Sequence, residues 1–329
     1  MAAVFLSLMF AAGFMEILLR MFGPPYYRFN NLSQEYYTNP RGYHDVIRTE
    51  GKHTVFGLIY HEDSYGYRMS PSSHQSPVEI PEKCILGLGD SFTYGRGVRF
   101  EDIYLTRLKK LLNQGHDSIA IRNCGVVGAG IEDIADIYER ESAALPRGSL
   151  VIYGLVLNDF GLAPTMPIKG LNLIDINNGG NTFSPLREGS ACINFISYLV
   201  EKRRLHTVTI KAYLESFQGQ NAEHGFDLLE TLNESVREDE GTLLVVVFPL
   251  LYDFKKYRFR LIHEKIESFC ERHGVLYLDL LPAFSRHKAE DLWANPTDHH
   301  PNEIAHGIAA DEIAAFIEEK LPTFSDGSH

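Results

Sequence analysis

Five short apolar runs constrain this chain more than any other feature of it. They are Cys84–Leu88 (CILGL), Ile119–Asn123 (IAIRN), Leu150–Leu155 (LVIYGL), Leu243–Phe248 (LLVVVF) and Val275–Leu278 (VLYL). All are apolar-rich, and none alternates strictly between apolar and polar, which is the pattern of strands covered on both faces. Amphipathic stretches lie between them, at about Glu101–Asn113, Ile131–Ala144 and Lys256–Arg272. A last one, Asn302–Lys320, carries Ile304, Ile308, Ile313 and Ile317 at helical spacing. Strands alternating with helices predict an α/β fold, a doubly wound, flavodoxin-like parallel five-stranded sheet with helices on both faces. With 44% hydrophobic and 22% charged residues, wholesale disorder is excluded.

The segments outside this pattern are read separately. Met1–Met15 holds no charge, and the apolar run continues through Glu16 and Arg20 to a Gly23-Pro24-Pro25 stop. As a helix to Phe22 it spans about 33 Å, enough for a bilayer core of about 30 Å. Residues 1–25 are therefore expected to be a transmembrane anchor, with Glu16 and Arg20 paired at i and i+4. A cleaved signal peptide fits less well, because no basic residue precedes the run. Residues 26–80 show no sustained period and read as an irregular connector, with Tyr26, Tyr27, Tyr36 and Tyr37 as packing points. The main body is expected over residues 81–322, with an insertion over 160–240 and a tail at 323–329. Ligands of such sheets bind beyond the carboxyl ends of the strands, which places the insertion to cap the site.

Charge and cysteine usage narrow the function classes. Thirty-one Lys and Arg against 43 Asp and Glu give a net charge of −12, unsuited to nucleic-acid binding. Cys84, Cys124, Cys192 and Cys270 lie far apart, which excludes a zinc ribbon or a disulfide-built mini-fold. Asp298, His299, His300 and His306 have no standard metal-ligand spacing, so neither a metal nor a cofactor is expected. The first basic residues, Arg20, Arg28 and Arg41, all follow the apolar run, and by the positive-inside rule they would leave the body in the cytoplasm.

Two motifs carry potential chemistry. The first strand runs into Gly89-Asp90-Ser91-Phe92-Thr93-Tyr94-Gly95, which presents a hydroxyl at the carboxyl edge of the sheet. Such a serine needs a base to become a nucleophile; taken alone, Ser91 is equally a turn or N-cap residue. Near the other end, Pro296-Thr297-Asp298-His299-His300-Pro301-Asn302 precedes the final helix. An Asp that orients an imidazole, which in turn accepts a serine proton, is the logic of a catalytic triad. Asp90 and Asp159 read as supports for their own turns, and Tyr94 and Tyr153 as packing residues.

These residues resemble the SGNH (GDSL-type) hydrolases. Gly89-Asp90-Ser91 is similar to the first block of that family, Asn123-Cys124-Gly125-Val126-Val127-Gly128 to the second, Leu157-Asn158-Asp159 to the third, and Asp298-His299-His300-Pro301-Asn302 to the last, in the family's order. The resemblance covers about Lys83–Leu321. It implies Ser91 as nucleophile, His300 as base and Asp298 as the acid that orients it. It further implies the Ser91 N–H, the Gly128 N–H and the Asn158 amide as donors to an oxyanion. Two positions depart from the family pattern. Val156 stands where the third block has Gly, and Asp298 lies two rather than three residues before His300. The shorter spacing also occurs in relatives that act on polysaccharide acetyl groups.

The resemblance implies a serine esterase removing O-acyl, above all acetyl, groups from a carbohydrate or cell-surface polymer. Its partners would be an acylated small molecule or glycan, and a membrane through residues 1–22. Relatives anchored in this way place the catalytic body outside the cytoplasm, against the charge count, and the outside location is the expectation adopted. Two alternatives stand beside it, an O-acetyltransferase acting on a polysaccharide and a non-catalytic binding protein on the same fold.

Overall fold

The computed structural model describes residues 2–22, 52–55, 58–71, 83–113, 119–161, 190–192, 210–295 and 298–325. By internal contacts the chain forms two units, Tyr43–Ala163 with Tyr213–His329, and Met1–Gly42 with Pro164–Ala212.

The larger unit is the expected α/β fold. A two-stranded hairpin, β1 (Lys52–Val55) and β2 (Leu58–His61), comes first, within the segment read as irregular. The five parallel strands of the sheet are β3 (Lys83–Gly89), β4 (Ile119–Gly125), β5 (Leu150–Val156), β6 (Thr242–Phe248) and β7 (Leu276–Asp279), in the order β4-β3-β5-β6-β7. Each coincides with one of the apolar runs to within two residues at either end. Burial explains why the runs lack alternation. All of β5 and every residue of β6 from Leu243 to Phe248 are buried, so both faces of these strands must be apolar.

The helices between the strands are α2 (Ser91–Tyr94), α3 (Tyr104–Leu112), α4 (Ile131–Ser142), α5 (Gly219–Glu238) and α6 (Arg260–His273). After the sheet come α7 (Leu281–Phe284), α8 (Glu303–Lys320) and α9 (Pro322–Ser325). Helix α3 packs beside α8, and α4 beside α5. Right-handed crossovers place these pairs on opposite faces of the sheet, because the chain reverses its direction of travel after β4. Helix α5, which lies inside the stretch 160–240, carries the chain from β5 to β6. The rest of that stretch over 162–189 and 193–209, where the sequence pattern predicts a helix over Ile193–Arg204, lies outside the described residues, as do Tyr26, Tyr27, Tyr36 and Tyr37.

Helix α8 differs from its expected face. Ile313 and Ile317 are fully buried, but Ile304 is 48% exposed. The buried stripe is Ala305, His306, Ala309, Ala310, Ile313, Ala314 and Ile317. Alanines let the helix lie close to its neighbours, and the isoleucine spacing mixes two faces. The side-chain oxygen of Asn302 caps the helix, accepting from Ile304 N (3.0 Å) and Ala305 N (3.1 Å).

In the other unit, residues 2–22 form the expected helix, α1 (Ala2–Phe22). Arg20 Nε donates to Glu16 Oε1 at 2.7 Å, as the spacing predicts. Glu16 also accepts from Ser190 Oγ and from the N–H groups of Ala191 and Cys192, each at 2.8 Å. The expectation of a membrane span does not find support in the fold. Among the described residues, no helix is long and apolar enough to cross a membrane. Within the part of α1 whose side chains are described, a carboxylate and a guanidinium interrupt the apolar surface, and the carboxylate is bonded to protein. All four cysteines are free thiols, and Cys84, Cys124 and Cys270 are buried.

Candidate active site

The site lies where the sheet reverses its order, at the carboxyl ends of β3 and β5, the usual ligand position in such folds. Strand β3 ends at Gly89. Asp90 then caps α2, its Oδ1 accepting from Phe92 N at 2.8 Å, so Ser91 becomes the first helical residue. The cap thus fixes Ser91 at the sheet edge.

Residues far apart in the sequence meet here. His300 Nε2 lies 2.8 Å from Ser91 Oγ. His300 is carried by an antiparallel hairpin, β8 (Trp293–Asn295) and β9 (Asp298–Pro301), just ahead of α8. Trp293 Nε1 donates to the Leu251 carbonyl at 2.8 Å. The Trp293 ring stacks on His299 with centroids 3.9 Å apart, and Tyr252 meets His299 edge-on at 5.6 Å. His299 and His300 are neighbours in a strand and so point to opposite faces, which gives the aromatic stack to one and the serine to the other. Asp298 lies in β9, two residues before His300, but its side chain is outside the described residues.

Two of the expected oxyanion donors, Gly128 and Asn158, lie on the loops that follow β4 and β5. Asn158 follows β5, and its Nδ2 donates to Asp90 Oδ2 at 3.0 Å. An amide nitrogen carries two hydrogens, so the second remains for another acceptor. Gly128 is exposed in the turn after β4, at φ 81°, a left-handed conformation that glycine adopts without strain. Val126 N donates to the Gly89 carbonyl at 3.0 Å, tying this turn to the end of β3.

Two buried carboxylates support the site, each bonding its own turn as expected. Ser91 Oγ also lies 3.3 Å from Asp90 Oδ2. Burial raises the Asp90 pKa, opposed by the Asn158 amide, the Phe92 N–H, the nearby His300 and the Ser91 hydroxyl. Asp159 Oδ2 accepts from Tyr153 OH (2.9 Å) and Val156 N (3.0 Å). Burial pushes its pKa well up, and the Asp90 charge adds to the rise. The Val156 departure has a local explanation. Its side chain is fully buried, and Asp159 holds its N–H.

Other motif residues have structural partners. Asn123 bonds the Thr93 carbonyl (2.9 Å) and Gly125 N (2.9 Å). His306 is fully buried; its Nδ1 accepts from Tyr104 N at 3.3 Å, and its ring stacks on Tyr104. Among the described residues, no group of three or more His, Cys, Asp or Glu side chains is placed to hold a metal ion. Sequence reasoning missed Glu62 and Arg68, which pack against the turn after Ser91. The only sequence signal for them was the hairpin turn Asp63–Gly66 between them.

A serine–imidazole pair at the edge of a doubly wound sheet defines a serine-hydrolase type of site. The family model for the GDSL-like lipase/acylhydrolase family matches residues 88–308. The chain belongs to that family and is an ester hydrolase. No curated protein matches the sequence. Among solved structures, a member of the lipolytic G-D-S-L family from Veillonella parvula shares 13% identity and a TM-score of 0.43, covering 73% of this chain and 98% of that one. A mutant of Axe2, an acetyl-xylooligosaccharide esterase from Geobacillus, shares 16% at a TM-score of 0.45, covering 73% and 94%. A two-domain esterase active on acetylated mannans shares 14% at 0.44, covering 75% and 52%.

Proposed function

We propose that the protein is a serine esterase that removes O-acyl groups, acetyl above all, from a carbohydrate or cell-surface polymer. The observation that carries the chemistry is the 2.8 Å approach of His300 Nε2 to Ser91 Oγ at the carboxyl edge of β3. In this reading His300 takes the Ser91 proton as Oγ attacks the ester carbonyl. The oxyanion accepts from the Ser91 and Gly128 N–H groups and from the Asn158 amide, whose orientation Asp90 fixes. Collapse breaks the bond to the leaving alcohol, which takes the proton from His300. Water, deprotonated by His300, then attacks the acyl-serine; collapse breaks the acyl–Oγ bond, releases the carboxylic acid and returns the proton from His300 to Ser91. Asp298 holds the imidazole throughout. The carbohydrate reading is supported by the two-residue Asp298–His300 spacing, similar to that of relatives acting on polysaccharide acetyl groups.

The test is hydrolysis of p-nitrophenyl acetate and of an acetylated oligosaccharide by wild type and Ser91→Ala. Release of acetate from both substrates, lost in the variant, is expected; equal rates in the two proteins would remove Ser91 from the mechanism. Acetyl appearing on an added glycan instead of in water would turn the assignment to a transferase.

A further inference from the structure

Residues 60–69 form a small strap; Tyr65 and Tyr67 contact Arg140 and Glu141 of α4, and Tyr60, Glu62 and Arg68 contact the turn just after Ser91. The strap folds tightly on itself. Asp63 Oδ1 accepts from Tyr65 N (2.9 Å) and Tyr67 N (3.0 Å), and Met69 N donates to the His61 carbonyl (2.8 Å). This sets Glu62 and Arg68 opposite each other across an antiparallel bridge. Both are buried, at 7% and 5% exposure. Buried charges are expensive unless held by partners, and the partners here lie in Tyr94–Val98. Arg68 Nη1 donates to the Gly95 carbonyl (3.0 Å) and Nη2 to the Val98 carbonyl (3.3 Å). The Arg68 guanidinium also lies over the Tyr60 ring, 3.8 Å from its centroid. The Tyr94 hydroxyl donates to Glu62, and Gly97 N donates to Tyr60 OH at 2.6 Å.

That turn is bonded directly to the nucleophile's backbone. Gly95 N (3.1 Å) and Arg96 N (3.0 Å) both donate to the Ser91 carbonyl. Gly95 sits at φ 82°, and a Cβ there would come within 2.5 Å of Ile103 Cγ1. The turn therefore needs glycine at this point, and the strap grips it from one side. One continuous path runs from the Arg68 guanidinium through the Gly95 peptide to Ser91.

We propose that Glu62 and Arg68 are positioning residues for Ser91, gripping the Tyr94–Val98 turn so that Oγ stays within reach of His300. The proposal rests on the reading of Ser91 as nucleophile. Facing Glu62 are the Tyr94 hydroxyl, the Arg68 guanidinium and the Asp63 carboxylate, and burial raises its pKa to about 7. Ionised Glu62 accepts the Tyr94 hydrogen bond and balances Arg68. Protonated Glu62 balances Arg68 less, so the grip weakens as pH falls through neutrality.

The test compares wild type with Glu62→Gln, Tyr94→Phe and Arg68→Lys. Active sites are counted by fluorophosphonate labelling of Ser91, and kcat and KM for p-nitrophenyl acetate are measured per labelled site from pH 5 to 9. Glu62→Gln and Tyr94→Phe are expected to lower kcat about three- to tenfold with KM within about twofold, since small misplacements of a reacting group act on turnover. Glu62→Gln should also lose part of the acid-side fall in kcat. Arg68→Lys keeps the charge but not the fork and should fall further. If it fails to fold, Tyr94→Phe, which removes a single hydroxyl, still decides. Wild-type kcat per site with an unchanged pH profile in both Glu62→Gln and Tyr94→Phe would overturn the positioning role alone. A wild type that neither labels nor hydrolyses would overturn the esterase reading, and the positioning role with it.

Discussion

The two members of the Ser91–His300 pair are held by different physics. On the nucleophile side, directional bonds dominate: Asp90 caps the start of α2, and Arg68, Glu62 and Tyr60 grip the Tyr94–Val98 turn. On the base side, a short hairpin adds ring stacking, Trp293 on His299, to the indole bond to Leu251 and the Asn302 bonds to Leu292 and Asp291. Directional bonds to buried charges fix a position sharply but make it sensitive to protonation. Stacked rings tolerate small slides and are indifferent to pH, apart from the imidazole itself. The contrast lies in the segments that carry the two residues, not in the imidazole, which Asp298 is proposed to orient.

The contrast can be broken most decisively at the pair itself. Ser91→Ala and His300→Ala should each lower kcat by about 10⁴-fold or more, and the double variant should lose little beyond either, because residues acting as a unit are not additive. Near-additive losses, measured with p-nitrophenyl acetate, would mean that the two do not act together. Next in size is Asn158→Ala. Loss of one oxyanion donor is expected to cost about 10²–10³ in kcat with KM little changed; a loss confined to KM would reduce Asn158 to a ground-state contact.

The pH sensitivity of the nucleophile side gives the third prediction. The Glu62 pKa is raised from 4.5 to about 7 in the folded protein, so folding favours its protonated form. Its contribution to stability is full below about pH 4.5 and is lost as pH rises through 7, on the order of 3 kcal/mol in all. Glu62→Gln should therefore be more stable than wild type at pH 8 and close to it at pH 4, by urea unfolding. A difference independent of pH would mean that Glu62 is not held as described. A variant that gains stability while losing turnover would also separate positioning from folding. The smallest effect belongs to the hairpin. Trp293→Leu keeps bulk but loses the stack, for about 1 kcal/mol, with a change in kcat that does not vary with pH. A pH-dependent change would erase the contrast between the two mountings.

The same division separates the parts of the molecule that were legible in the sequence from those that were not. The five sheet strands could be read because burial on both faces demands unbroken runs such as LLVVVF, and almost nothing else produces them. Ser91, Asn158 and His300 could be read because they end strands or precede a helix, where short motifs keep fixed neighbours. The strap could not. Glu62 and Arg68 are ordinary charged residues, and only the tertiary contact with Gly95 and Val98 gives them meaning. The face of α8 was misread at Ile304 for a related reason. Small alanines, not the larger isoleucines, mark where helices approach most closely, and hydrophobic spacing alone does not register them. The membrane span expected from the first 22 residues rested on apolar length, which does not report the bonds of Glu16 to Ser190, Ala191 and Cys192.

The bond between Ser91 and His300 joins residues 209 positions apart. A ribosome adds about 5–20 residues per second, so His300 comes into existence about 10–40 s after Ser91. Throughout that interval the emerging chain carries Ser91 without the imidazole that meets it in the fold, and the proposed chemistry stays silent until His300 has been made.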